Sequence, residues 1–206
     1  MGRYLRPKNR VARRFGANIF NRQRNPMLHK QHPPGMHGGR RRKKSDFGEQ
    51  LEEKQKLKAV FGMLSEKQLL GAYAKASKMP GVTPDNLLSL LETRLDMMVY
   101  RLKFAPTIFA AHQLVSHGHI EVDGKKVDIR SFQVKPGMTV SVKEKSRTMK
   151  LVVESLGDVR REVPEYFDFN AQKFMGTLVR TPAADEISVA LPINLAIVCE
   201  LIAHAH

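Results

Sequence analysis

Five adjacent cations, Arg40, Arg41, Arg42, Lys43 and Lys44, follow a Gly38-Gly39 pair. Like charges in so short a run repel, and they pack only where an anion neutralises them. Arg3, Arg10, Arg13, Arg14, Arg22 and Arg24 precede them, so that residues 1–45 carry 14 Lys and Arg and no Asp or Glu. The chemistry available is capture of a polyanion, with phosphates held by ionic and charge-assisted hydrogen bonds. Farther on, Arg94 and Arg101 are spaced by two helical turns. On a continuous helix both project from one face beside an apolar stripe of Leu95, Met98, Val99 and Leu102. Asp96 is then placed to orient one of them as an ion-pairing residue. The competing reading makes both arginines members of surface ion pairs.

Other chemistries find little support. His29, His32 and His37 have loosely metal-like spacing, but they sit among cations without thiolate or carboxylate support, so a phosphate-facing role is favoured over a metal site. No glycine-rich phosphate loop and no nucleophile elbow occurs. Cys199, the only cysteine, can form neither an internal disulfide nor a thiolate cage and reads as a small buried hydrophobe. The expectation is therefore a non-enzyme, with no cofactor, no metal and no small-molecule substrate. The start of the chain is basic without an apolar stretch behind it, and no apolar run reaches the ~18 residues of a membrane span. A cytoplasmic protein without a membrane partner is expected.

The chain has 206 residues and a formal charge of +15, enough for one large domain or two modest ones. The excess charge is concentrated in residues 1–45, which read as a loosely ordered basic arm broken by Pro33-Pro34-Gly35. From Asp46 the pattern turns helical. Asp46 with Glu49 resembles a capping box, and Ser65 with Gln68 is one. Thr83 and Pro84 open a third helical stretch, either one helix or two, that ends at Ala105-Pro106. Another helix runs from Thr107 to Gly118. At Ile120 the period changes to two, and Asp123-Gly124 is a two-residue hairpin turn that sets Glu121 opposite Lys126. Val140 and Val142 mark one more strand. Strand-like pieces lie near 166–169 and 177–179, and Leu191-Pro192 opens an apolar terminal helix.

The stretch from Leu87 to Lys145 closely resembles the RNA-binding domain of the S-four type. The resembling text includes Glu92-Thr93-Arg94-Leu95-Asp96, Phe104-Ala105-Pro106-Thr107, Gln113-Leu114-Val115-Ser116-His117-Gly118-His119 and Lys135-Pro136-Gly137. The flanks, Pro34-Gly35-Met36-His37-Gly38, Ser45-Asp46-Phe47-Gly48 and Leu191-Pro192 onward, are similar to the S-four family of small-subunit ribosomal proteins. The resemblance implies an α+β fold: a helical domain with a basic arm, and a small domain of helices packed on a short antiparallel sheet. It implies domains at 1–45, 46–93 completed by 158–206, and 94–157. It also implies a structural ribosomal protein that binds a multi-helix junction in the 5′ domain of small-subunit ribosomal RNA. Such a protein nucleates assembly of the subunit body, neighbours protein S-five, and acts on accuracy together with protein S-twelve. It does not work as a homo-oligomer.

Candidate RNA contacts are the arm cations above together with Lys54, Arg94, Arg101, Lys103, Thr107, Gln113, His117, His119, Lys125 and Lys126. Ile108 and His112 stand where the family often has Arg, Lys103 where it usually has Gly, and Asp123 where Asn is common. Some members bind zinc through amino-terminal cysteines, which are absent here. Only 14 aromatics and no Trp argue against single-strand recognition by stacking. The alternatives are an RNA-modifying or stalled-ribosome factor carrying the same module, for which residues 158–206 are too few to form a catalytic domain, and a nucleoid-like DNA-binding protein.

Overall fold

The computed structural model describes residues 4–22, 24–39 and 43–204. Among them run α1 (Lys8–Phe15), α2 (Asp46–Val60), α3 (Glu66–Ala76), α4 (Thr83–Glu92), α5 (Leu95–Arg101), α6 (Ile108–Ser116), β1 (Ile120–Val122), β2 (Lys125–Lys126), β3 (Thr139–Val142), α7 (Lys150–Leu156), β4 (Phe167–Asn170), β5 (Met175–Leu178) and α8 (Leu195–His204). Helices with one five-stranded antiparallel sheet make the fold α+β. The chain divides into two compact units, residues 1–85 with 188–206, and residues 86–187.

In the first unit, α2 packs against α8. Leu57, Val60, Phe61, Leu64 and Leu69 are buried there, as are Val198, Leu201 and Ile202 of α8. The backbone N–H of Asn194 donates to Glu53 Oε2 at 2.8 Å, tying the approach to α8 onto α2. Ser45, not Asp46, caps α2, its hydroxyl accepting the Gly48 N–H at 3.3 Å. Asp46 falls in the first turn, where its negative charge suits the helix dipole. Ser65 and Gln68 form the reciprocal capping box of α3. The arm is less open than its charge implies. Ala12, Ile19 and Phe20 are buried, and Arg13 donates to the carbonyls of His32 at 3.0 Å and Pro33 at 3.3 Å. A few apolar residues and carbonyl acceptors are enough to order it locally.

In the second unit the sheet order is β2-β1-β3-β5-β4. The hairpin has Glu121 opposite Lys126, and its turn residues Asp123 and Gly124 both take positive φ, 48° and 74°. Ile120, Val140, Val142 and Leu178 of the sheet are buried, as are Leu102, Phe104, Ala111 and Val115 at the end of α5 and on α6, and α5 and α6 pack on each other. A Cβ on Gly176 would collide with the Leu102 side chain, so this glycine lets β5 come close to the end of α5.

One expectation is corrected, and the choice between one helix and two after Thr83 is decided. Residues 158–187 do not complete the helical part: β5 pairs with β3 and β4 with β5, which places that segment in the second unit. The stretch after Thr83 is two helices, broken at residue 94. Arg94 is extended (ψ 142°) and bridges to Gln133, while Leu95 N–H donates to Phe132 O at 2.9 Å and Val134 N–H to Thr93 O at 2.9 Å. These backbone bonds to the 132–134 segment separate α4 from α5.

Candidate nucleic-acid interface

The C-terminal end of α6 and the β1–β2 hairpin form a cationic corner. Thr107 is the N-cap of α6, its hydroxyl accepting the Ala110 N–H at 3.2 Å, so its role is to start the helix that carries the others. At the far end the His117 N–H donates to Gln113 O at 2.9 Å, and Gln113 and His117 are exposed. Gly118 then reverses the chain at φ +72°, and a Cβ there would run into the Lys126 side chain. Lys126 therefore lies directly across the backbone between His117 and His119, whose rings are 6.1 Å apart. The His119 ring makes a 2.9 Å hydrogen bond between Nδ1 and Ser146 Oγ. His119 O also accepts the Lys143 N–H at 2.9 Å. Lys125 and Lys126 are both exposed on β2.

The structure adds Lys143, Lys145 and Arg147 to this corner. Arg147 Nε donates to Val142 O at 3.2 Å, and its guanidinium lies 5.9 Å from the Phe174 ring centre. Their signal in the sequence was the short cationic run just after the Val140–Val142 alternation. Lys103 stands at the other end of α6, in the turn after α5, with φ +61°. A side chain in that left-handed conformation costs about 1–2 kcal/mol relative to glycine.

Arg94 and Arg101 do not belong to this surface. Arg94 is 6% exposed, and its guanidinium clamps the Asp96 carboxylate with Nε and Nη2 at 3.0 and 2.6 Å. His112 Nε2 lies 3.2 Å from Asp96 Oδ2, a close approach without hydrogen-bond geometry. Burial opposes the charge of Asp96, but the His112 ring and the Arg94 guanidinium outweigh it and hold the carboxyl below the ordinary value. Arg101 closes a second buried cluster: it pairs with Glu92, whose Oε1 also accepts the Tyr166 hydroxyl at 2.9 Å. Burial again works against the charge of Arg101, while Glu92 keeps it firmly protonated. Both arginines hold the fold together, because the break between α4 and α5 turns them inward. Ile108 is likewise buried, filling core rather than facing solvent.

Among the arm candidates, Arg10 and Arg14 are exposed, Arg22 donates to Asn9 Oδ1 at 2.7 Å, and Arg24 to His29 Nε2 at 2.9 Å. Lys43 is exposed and Lys44 pairs with Glu52. Lys54 is mostly covered, paired at 2.8 Å with Glu66, which also takes Lys58 at 2.6 Å. Arg3, Arg40, Arg41 and Arg42 lie outside the described residues. No group of three or more His, Cys, Asp or Glu able to hold a metal ion occurs among the described residues.

Comparison with known proteins identifies the family. Residues 3–92 match the family described as Ribosomal protein S4/S9 N-terminal domain, and residues 93–140 match the S4 domain. The chain is 58% identical over 205 residues to the small ribosomal subunit protein uS4 of Protochlamydia amoebophila, covering 100% of both chains. It is 55% identical over 207 residues to the protein of that name from Chlamydia muridarum, and 54% to that of Chlamydia trachomatis serovar L2, with 99% of each chain covered. The cationic corner lies in the part matched as the S4 domain and at its border. On sequence over its full length, the chain belongs to the uS4 family of small ribosomal subunit proteins.

Proposed function

We propose that the chain is a structural constituent of the small ribosomal subunit that binds ribosomal RNA and has no enzymatic role. The observation that carries this is the corner built by His117, His119, Lys125, Lys126 and Lys143, cations and imidazoles held by backbone bonds on a packed α+β scaffold. Structured RNA is read through shape, phosphates and 2′-hydroxyls, which calls for charges fixed in space rather than stacking platforms. The arm cations, Arg10, Arg14, Lys43 and Lys44 with the neighbouring 40–42 run, supply a second, extended contact. The contact set is thus the corner, Lys103 and the arm, without Arg94 and Arg101.

At a finer level, the site is a multi-helix junction of the 5′ domain, engaged early so that the subunit body assembles around it. The working protein is a single copy beside protein S-five, and it bears on accuracy together with protein S-twelve. Likeness to the S-four family supports these points.

The test is filter binding of the full chain to the 5′-domain junction RNA over a series of salt concentrations, with duplex DNA of equal charge as competitor. The log–log slope should be steep, and each lost phosphate contact should flatten it by roughly 0.7 to 0.9. Lys125→Ala and Lys126→Ala should each do so without lowering the melting temperature. Equal competition by the duplex would refute RNA recognition.

A further inference from the structure

We infer that the β4 edge of the sheet is a docking site for an extended, lysine-rich segment of a neighbouring protein, added as a sixth strand. β4 is the last strand of the sheet, so one side of its backbone has no partner strand among the described residues. The pairing tells which groups face out. Val179 N–H donates to Tyr166 O at 3.0 Å, and the register continues through Asp168 opposite Thr177 and Asn170 opposite Met175. In an antiparallel pair, bonded and non-bonded positions alternate, so Phe167 and Phe169 turn their backbone groups away from β5. Pro164 O takes the Phe167 N–H at 3.1 Å. Among the described residues, what remains open is the Phe167 carbonyl with both the N–H and the C=O of Phe169, enough to seat a short strand.

The side chains state what that strand must carry. Residues 158–206 hold 4 Lys and Arg against 7 Asp and Glu in a chain of net charge +15. Glu162, Glu165 and Asp168 are exposed along β4 and the approach to it. Three of the four cations close by in sequence are committed elsewhere: Arg160 and Arg161 to Asp158, and Arg180 to Glu186. Asp168 lies on the outer face of the sheet, whereas Phe169 lies half-buried on the face toward Phe104, 6.1 Å away between ring centres. An added strand therefore needs a period of two, Lys or Arg beside Asp168 and an apolar residue beside Phe169. Lys173, in the β4–β5 turn, directs the cationic end of the guest toward Glu165. Charged residues on an edge also serve simply to prevent strand pairing, and that reading makes the opposite prediction below.

The experiment uses the 15N-labelled full chain and a short capped peptide of alternating valine and lysine, with a valine–glutamate peptide as control. No RNA is involved, so its failure leaves the ribosomal reading standing. The expected result is shifts confined to amides 165–171 and 175–179, with the Phe169 N–H newly protected from exchange. The combined reversal Glu165→Lys with Asp168→Lys should weaken binding at least about tenfold, with an unchanged melting curve. Phe169→Pro removes the outward N–H at a position where an edge strand tolerates proline, and with it the ring facing Phe104; it should abolish docking, whereas Phe169→Leu, which loses the ring but keeps the N–H, should retain it. Shifts spread over the chain, no binding, equal binding of the glutamate peptide, or full binding by the charge-reversed variant would each overturn the proposal. Self-association through the same amides without peptide would overturn it in favour of a second copy.

Discussion

The Tyr166 hydroxyl donates to Glu92 Oε1 across 74 residues of sequence, at 2.9 Å and out of contact with solvent. The same carboxylate holds Arg101, so one buried charge joins the end of α4, the end of α5 and the start of β4. Burial, then the negative charge of Glu92, pushes the phenol far above its ordinary value, so it remains a donor at every working pH. Tyr166→Phe should cost about 1.5–3 kcal/mol, the worth of a hydrogen bond to a charged group. Urea unfolding measures this directly, and RNA affinity at low denaturant should stay at the wild-type level.

Arg94→Ala leaves the Asp96 carboxylate buried without its clamp. Breaking one side of a buried pair typically costs about 3–5 kcal/mol. The loss should appear in the thermal melt, with the slope of RNA affinity against salt unchanged in whatever protein remains folded. A normal melt with a flattened slope would instead return Arg94 to the RNA-binding surface.

Stability should fall in acid. The Asp96 carboxyl has a lower pKa folded than unfolded, because the His112 ring and Arg94 outweigh the opposing effect of burial. A depressed carboxylate contributes fully above its unfolded value of about 3.9 and loses that contribution as pH falls through the folded value. Glu66, lowered chiefly by its bonds from Lys54 and Lys58, acts in the same direction. Urea midpoints measured from neutral pH down to about pH 3 should therefore drop. Asp96→Asn should be less stable at neutral pH and should lose less on acidification, a difference that isolates Asp96 from the other carboxylates.

Gly118→Ala must both accept φ +72° and push the Lys126 side chain aside. Backbone strain of about 1 kcal/mol is expected, together with weaker RNA binding. In a double-mutant cycle with Lys126→Ala the binding losses should not add, since both act through the same ammonium. Additive losses would separate the glycine from the lysine.

Much of this was legible in the sequence, and the rest fails for identifiable reasons. The hairpin turn was readable because Asp123-Gly124 admits one geometry and fixes the Glu121–Lys126 register. The Ser65–Gln68 cap was readable because it is local. The Arg94–Arg101 surface failed because helical spacing says nothing about backbone bonds from residues 132–134, which arrive from 40 residues away and interrupt the helix. Strands near 166–169 and 177–179 were visible, but their assignment to the sheet depended on the β3–β5 pairing, a non-local contact. Tyr166 and Glu92 carry no sequence signal of their partnership. The corner residues His117, His119, Lys125 and Lys126 came from the family resemblance and not from periodicity.

The crossing of Lys126 over Gly118 has an entropic consequence. A free lysine loses up to about 2 kcal/mol of rotamer freedom when its ammonium is fixed on a partner. Here the hydrocarbon stem already rests along the glycine backbone, so part of that freedom is gone before any phosphate arrives. Lys126 thus meets RNA more as a rigid group than as a tether, whereas Lys125 beside it, with no such groove, must still be immobilised on binding.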